Sequence, residues 1–247
     1  MSKKSRRISA HQQNYQSFGD DGFQPSTPFF QKKREVKPVE AKTEAQGNFM
    51  AHIMHSDIIM VYGPAGTGKT FISVAMAVDE LKAGVVDKII VTRPMQGVDE
   101  EMGFLPGTEE EKYAPWMMPV MDVLIDRLGE GEAKYLLKSK KVEFRPLMMM
   151  RGSSFKDSWI IMDEAQNTTP KQMKMFLTRI GKNCKMIING DQKQSDLKSN
   201  RGMEITSGLE DAVFRLHGVP KISVCEFTKD DIVRHGLVRS IIEQYEG

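Results

Sequence analysis

Gly63-Pro64-Ala65-Gly66-Thr67-Gly68-Lys69-Thr70 fits G-x-x-x-x-G-K-[ST], the phosphate-binding P-loop, and its neighbours suit that role. Before it, Asp57-Ile58-Ile59-Met60-Val61-Tyr62 is a short apolar run that reads as a buried strand. After it, the small and apolar Phe71-Ile72-Ser73-Val74-Ala75-Met76-Ala77-Val78 suits a helix packed on a sheet. Glycines let the backbone curl so that successive N–H groups of Gly63, Ala65, Gly66, Thr67 and Gly68 point at phosphate oxygens around Pro64. The helix N-terminus adds positive potential there. Lys69 is expected on the β- and γ-phosphates, and the Thr70 hydroxyl on Mg²⁺.

A second apolar run, Trp159-Ile160-Ile161-Met162, ends in Asp163-Glu164-Ala165-Gln166. Read alone, an acidic pair there is a strand end meeting solvent. Downstream of a P-loop it becomes the expected partner: Asp163 to hold hydrated Mg²⁺, Glu164 to polarise the water that attacks the γ-phosphate. Tandem acids favour hydrolysis by water over transfer to a small molecule. No Asn-Lys-x-Asp guanine-reading element occurs in the sequence, so the expected nucleotide is ATP. A third run, Cys184-Lys185-Met186-Ile187-Ile188-Asn189, leads into Gly190-Asp191-Gln192-Lys193-Gln194. Ligands sit at such strand tips in open parallel sheets, and Gln194 or Asp191 is a candidate for sensing the γ-phosphate or orienting the water.

Five strands are predicted over 57–62, 87–91, 158–162, 184–189 and 221–226, with a short extra one near 142–146. Helices are predicted near 69–82, 115–128, 170–180, 207–216 and 232–245. Alternating strands and helices imply an α/β fold with a parallel sheet covered on both faces. In nucleotide hydrolases with tandem acids, the third motif's strand lies between the P-loop strand and the acidic strand. The expected fold is therefore a P-loop NTPase with a single RecA-like core. That order would bring Gln194 close to Lys69 and Glu164.

The 247 residues suit one sizeable domain with extras, at a net charge of +2. Residues 1–45 are basic, rich in Gln, Ser, Pro and Lys, and without apolar periodicity. They read as a disordered tail, and 46–247 as the faintly acidic ATPase domain. The clusters Lys3-Lys4-Ser5-Arg6-Arg7 and Lys32-Lys33-Arg34 are solvated or touch nucleic acid. No run approaches a membrane span, and no apolar segment follows the basic start. Cys184 and Cys225 lack metal spacing and read as buried thiols of a cytoplasmic protein.

Further stretches complete the pattern: Thr92-Arg93-Pro94, Gly103-Phe104-Leu105-Pro106-Gly107, Met150-Arg151-Gly152, Asp163 through Pro170, Met175-Phe176-Leu177-Thr178-Arg179, Gly190-Asp191-x-x-Gln194 and Val233-Arg234-His235. Over roughly 46–247 the chain resembles the PhoH-family ATPases, small relatives of superfamily-one helicases. The resemblance implies an ATP-binding protein and hydrolase, linked to phosphate starvation and RNA work, in a ring of six subunits. It also implies adenine reading by Gln46, which matches a glutamine ahead of the P-loop strand in such helicases.

The second RecA-like domain of a true helicase is not legible in the sequence. An arginine that completes catalysis is therefore expected from a neighbouring subunit of a homo-oligomer. Arg234 is the first choice and Arg179 the reserve, ahead of Arg93 and Arg151. For single-stranded RNA, Phe104, Tyr113 and Trp116 are candidates for base stacking, or else pin their loop to the core. Arg93, Arg145, Arg151 and Lys156 are candidates for backbone contacts, or else pair with local carboxylates. Two function classes stand: an ATPase that remodels single-stranded RNA, and a nucleotide-gated binding module whose slow hydrolysis acts as a timer.

Overall fold

Six apolar segments form one sheet: β1 (Ile58–Tyr62), β2 (Lys88–Thr92), β3 (Val142–Phe144), β4 (Ser158–Met162), β5 (Cys184–Gly190) and β6 (Ile222–Glu226). The computed structural model describes residues 37–94, 109–191, 206–233 and 244, and the side chains of 109–116 lie outside that description. The strand order is β3-β2-β4-β5-β1-β6, and every pairing is parallel. As expected, β5 lies between the P-loop strand β1 and the acidic strand β4.

The strands read as near-continuous apolar runs because both faces are covered. Alternate residues divide between two cores. Ile59, Val61, Ile89, Val91, Trp159, Ile161 and Ile187 share one with α1 (Glu44–His55), α2 (Lys69–Lys82) and α3 (Glu109–Leu128). Ile58, Met60, Ile90, Ile160, Met162, Met186 and Ile188 share the other with α5 (Pro170–Leu177) and α6 (Gly208–Leu216). Between α3 and β3 runs α4 (Glu130–Lys138), which adds Ala133 to the first core.

Several boundaries differ from expectation. Residues 37–45, assigned above to the tail, lie against the core: Val39 and Ala45 pack on it, and Arg127 Nη1 donates to the Lys37 carbonyl at 2.6 Å. They lead into α1, absent from the sequence reading, which is capped by the Thr43 side chain accepting from the Gln46 N–H and buries Phe49 and Ile53. Helix α3 begins at Glu109 rather than at Pro115. Glu109-Glu110-Glu111 favour a helix N-terminus, and the helix carries Pro115 in its interior. Helix α5 stops at Leu177 rather than 180, because the Thr178 hydroxyl and Arg179 Nε bond to its last carbonyls. The helix expected at 232–245 falls almost wholly outside the described residues. No described helix is long and apolar enough to cross a membrane.

Candidate nucleotide site

Parallel pairing brings the C-terminal ends of β1, β2, β4, β5 and β6 to one edge of the sheet, with Tyr62 level with Gly190 and Glu226, and Thr92 level with Met162. Hydrogen bonds continue past the strands, from Gly63 N–H to Gly190 O (3.2 Å), Asp163 N–H to Thr92 O (2.9 Å) and Phe227 N–H to Tyr62 O (2.8 Å). The motifs are thus fixed to one another by backbone. Gly63 has φ 140°, and a Cβ there would lie 2.2 Å from the Phe227 carbonyl oxygen, so only glycine fits.

The loop then enters α2 through Gly68 (φ 90°), the N-cap, with no side chain capping the helix. The first N–H groups of α2 therefore face the loop's hollow, the arrangement that suits an anion. Thr67 is buried and donates to the Pro64 carbonyl at 3.0 Å. Lys69 folds back, its ammonium donating to the carbonyls of Gly63 (2.6 Å) and Pro64 (2.7 Å). Beneath the loop, Ser73 Oγ donates to Lys69 O (2.8 Å) and is 3.1 Å from Asn189 Oδ1, linking α2 to β5.

Two expected partners meet: Thr70 Oγ1 donates to Asp163 Oδ1 at 3.1 Å. Burial and then the neighbouring Glu164 carboxylate push the Asp163 pKa up, against Arg93, the Thr70 hydrogen bond and Lys69. A desolvated carboxylate beside a hydroxyl and facing a like charge is the kind of donor set that a divalent cation relieves. Among the described residues no group of three or more His, Cys, Asp or Glu side chains could hold a metal. A cation on Thr70 and Asp163 would therefore take its other ligands from phosphate and water.

Glu164 follows with φ 54°, a left-handed backbone that a side chain adopts at a cost of roughly 1–2 kcal/mol. Its two oxygens are held separately, by Arg93 Nη2 at 3.3 Å and by Gln166 Nε2 at 2.6 Å. The sequence reading left Gln166 without a role. Its position in Asp-Glu-Ala-Gln was visible, but nothing in that spacing shows a bond back to Glu164.

Gln46 is 3% exposed; its Nε2 donates to the Thr67 carbonyl (2.9 Å) and its Oε1 accepts from Lys42 N–H (2.7 Å). It braces the P-loop, and a base would have to meet its second Nε2 hydrogen or the remaining lone pair of Oε1. Val233 N–H donates to Gly66 O at 3.1 Å, closing the segment after β6 over the loop. Gln194 and Arg234 lie outside the described residues, as do Phe104 and the side chains of Tyr113 and Trp116.

The remaining basic candidates divide. Arg145 bonds Glu143 at 2.6 Å and lies 5.8 Å from the Phe155 ring centroid. Arg179 donates to Met175 O (3.1 Å), Ser153 O (3.3 Å) and Thr178 Oγ1 (3.2 Å), bonds it would surrender to act elsewhere. Arg151 and Lys156 are exposed. Cys184 and Cys225 are free and buried, and burial pushes the Cys225 thiol up to about 12.

The family described as PhoH-like protein matches residues 38–246. A PhoH-like protein of Bacillus subtilis (strain 168) is 45% identical over 215 residues, covering 87% of this chain and 66% of its own length. Protein PhoH of Escherichia coli (strain K12) is 44% identical over 214 residues, 86% of this chain and 59% of its own. The chain thus spans roughly three-fifths to two-thirds of the curated relatives it matches. A solved SWI2/SNF2 ATPase core of Sulfolobus solfataricus in complex with dsDNA aligns over 64% of this chain and 32% of that one, at 16% identity and a TM-score of 0.35, too distant a likeness to carry an argument.

Proposed function

The chain belongs to the PhoH-like protein family, and on that premise we propose that it binds ATP with Mg²⁺ on Gly63–Thr70 and hydrolyses it. The observation that carries this reading is the Thr70–Asp163 hydrogen bond at 3.1 Å, with Glu164 beside it on the same strand tip. Thr70 and Asp163 would hold Mg²⁺, which when bound neutralises charge on the β- and γ-phosphate oxygens. Lys69 would exchange the Gly63 and Pro64 carbonyls for phosphate oxygens. Glu164 takes the proton from the attacking water as the water oxygen bonds to the γ-phosphorus and the bond to the ADP oxygen breaks.

We assign the work of this hydrolysis to single-stranded RNA, acted on in the cytoplasm by a homo-oligomeric ring, most simply of six subunits. Exposed Arg151 and Lys156 are suitable for phosphate backbones. A second reading, the nucleotide-gated module with slow turnover, has its own support. Arg145 and Arg93, two of the four basic candidates, are held by Glu143 and Glu164.

One set of assays tests both. Wild type should hydrolyse ATP in Mg²⁺ but not in EDTA, and faster with single-stranded RNA. Lys69→Ala should lose ATP affinity. Glu164→Gln should keep affinity and lose about 10²–10⁴-fold in kcat. RNA binding should fall steeply with salt. Equal turnover by wild type and Glu164→Gln refutes the assigned base, and no RNA binding at low salt leaves the gated module standing.

A further inference from the structure

Gln166 is 1% exposed, lies next to the acidic pair, and has no task in the hydrolysis just described. Its amide spans two strand tips. Oε1 accepts the backbone N–H of Asp191 at 2.9 Å, at the end of β5. Nε2 donates to Glu164 Oε2 at 2.6 Å, at the end of β4. The orientation is forced, because a backbone N–H can only donate, so the oxygen must face Asp191 and the nitrogen Glu164.

The surroundings are built around this bridge. Gly190 leaves space for it: a Cβ there would come within 3.1 Å of Gln166 Oε1 and 2.4 Å of Leu209 Cδ2. The turn Ala165–Asn167 begins at Glu164, whose backbone is left-handed and whose carboxylate accepts from Gln166. With Arg93 on Glu164 Oε1, each carboxylate oxygen has its own donor. A carboxylate held at both oxygens cannot rotate freely, and a charge-assisted bond at this length is among the stronger ones.

We propose that Gln166 is a positioning residue for hydrolysis, fixing the Glu164 carboxylate to the rigid tip of β5 so that it meets the attacking water in a productive orientation. This rests on the reading of Glu164 as the base. The competing account is that Gln166 fills space between β4, β5 and α6. The two part on a substitution that keeps the volume and removes the bonds. Gln166→Met has nearly the same length and no amide.

Steady-state kinetics, ATP affinity and thermal melting of the full chain with Gln166→Met, alongside Glu164→Gln, decide the matter. The expected result for Gln166→Met is kcat down about 10- to 100-fold with ATP affinity within threefold of wild type, the loss typical when an orienting partner is removed. Wild-type kcat in Gln166→Met, with Glu164→Gln inactive, overturns the positioning role and leaves the base assignment intact. Wild-type activity in Glu164→Gln overturns both. Should Gln166→Met melt at the assay temperature, Gln166→Asn, one methylene too short to bridge both tips, is the second variant and carries the same expectation. Loss of ATP affinity in step with kcat in whichever variant folds assigns the residue to the shape of the nucleotide site and overturns the proposal.

Discussion

Thr70 Oγ1 and Asp163 Oδ1 lie 3.1 Å apart although they belong to different halves of the chain, one in the first turn of α2 and the other just past the tip of β4. The pair holds the start of α2 and the tip of β4 at a fixed spacing. The Asp163 carboxylate is also desolvated and faces the charge of Glu164.

Asp163→Asn removes that like charge while keeping an oxygen to accept from Thr70. The expected outcome is a trade-off: Mg²⁺-stimulated hydrolysis falls at least about 10²-fold, while the metal-free protein melts higher. A gain of 1 kcal/mol corresponds to about 2–4 °C at this size. Scanning calorimetry in EDTA, beside a Mg²⁺ titration of turnover, checks both halves. A lower Tm in EDTA rules out the electrostatic account of Asp163.

Much of this arrangement was legible because P-loop chemistry leaves dense marks. Apolar runs ending in Asp163 or Gly190 identify strand tips, and the tandem acids imply which strand lies between which. Helix α1 was missed although Thr43 was a usable cap and Phe49 and Ile53 are four apart; the basic, Gln-rich context outweighed a single short stripe. The bonds of Gln166, Gln46 and Arg179 were not legible for another reason. Each is a side chain reaching backbone or carboxylate in a geometry set by tertiary packing, and spacing alone carries no trace of it.

Glu143 supplies a pH test away from the nucleotide. Burial pushes its carboxyl up, but hydrogen bonds from Lys88 and Arg145 outweigh this and hold it below 4.5. The unfolded chain therefore binds more protons between the folded value and 4.5, and stability rises with pH across that window. The contribution is complete above 4.5 and lost as pH falls through the folded value. Glu143→Gln should cost about 1 kcal/mol at pH 7 and progressively less as the pH is lowered through that window. Urea midpoints along a pH series read this out, and a constant difference excludes the ion-pair explanation.

Arg127 fastens the segment before α1. It is 8% exposed, donates to Asp79 at 2.7 and 2.8 Å, and reaches the Lys37 carbonyl at 2.6 Å. Arg127→Ala should destabilise by about 2 kcal/mol, since the bonds are charge-assisted but Asp79 can be re-solvated. Arg127→Lys should recover little, because an ammonium cannot fork between carboxylate and carbonyl. Denaturant titration measures both, and faster amide exchange at Lys42, the N–H held by Gln46, is the accompanying sign.

Phosphoryl transfer leaves charge on the γ-phosphate oxygens that an inserted arginine stabilises, an effect worth about 10³–10⁵ in rate. Among the described residues, Arg93 pairs with Glu164 and Arg179 bonds its own neighbourhood, so neither is well suited to the task. Arg234, the first choice of the sequence reading, lies outside the described residues. On the proposal of a homo-oligomeric ring, the expected partner of Arg234 is the site of an adjacent subunit, a heterologous contact that closes into a ring when the rotation permits. Arg234→Ala should bind ATP normally and hydrolyse it at least about 10³-fold more slowly. Mixed with Lys69→Ala, which retains the arginine but not a working loop, it should recover part of the activity. Measurable recovery in mixed oligomers supports action between subunits; no recovery, with mixing verified by mass, or full activity in a protein that sediments as a monomer, refutes it.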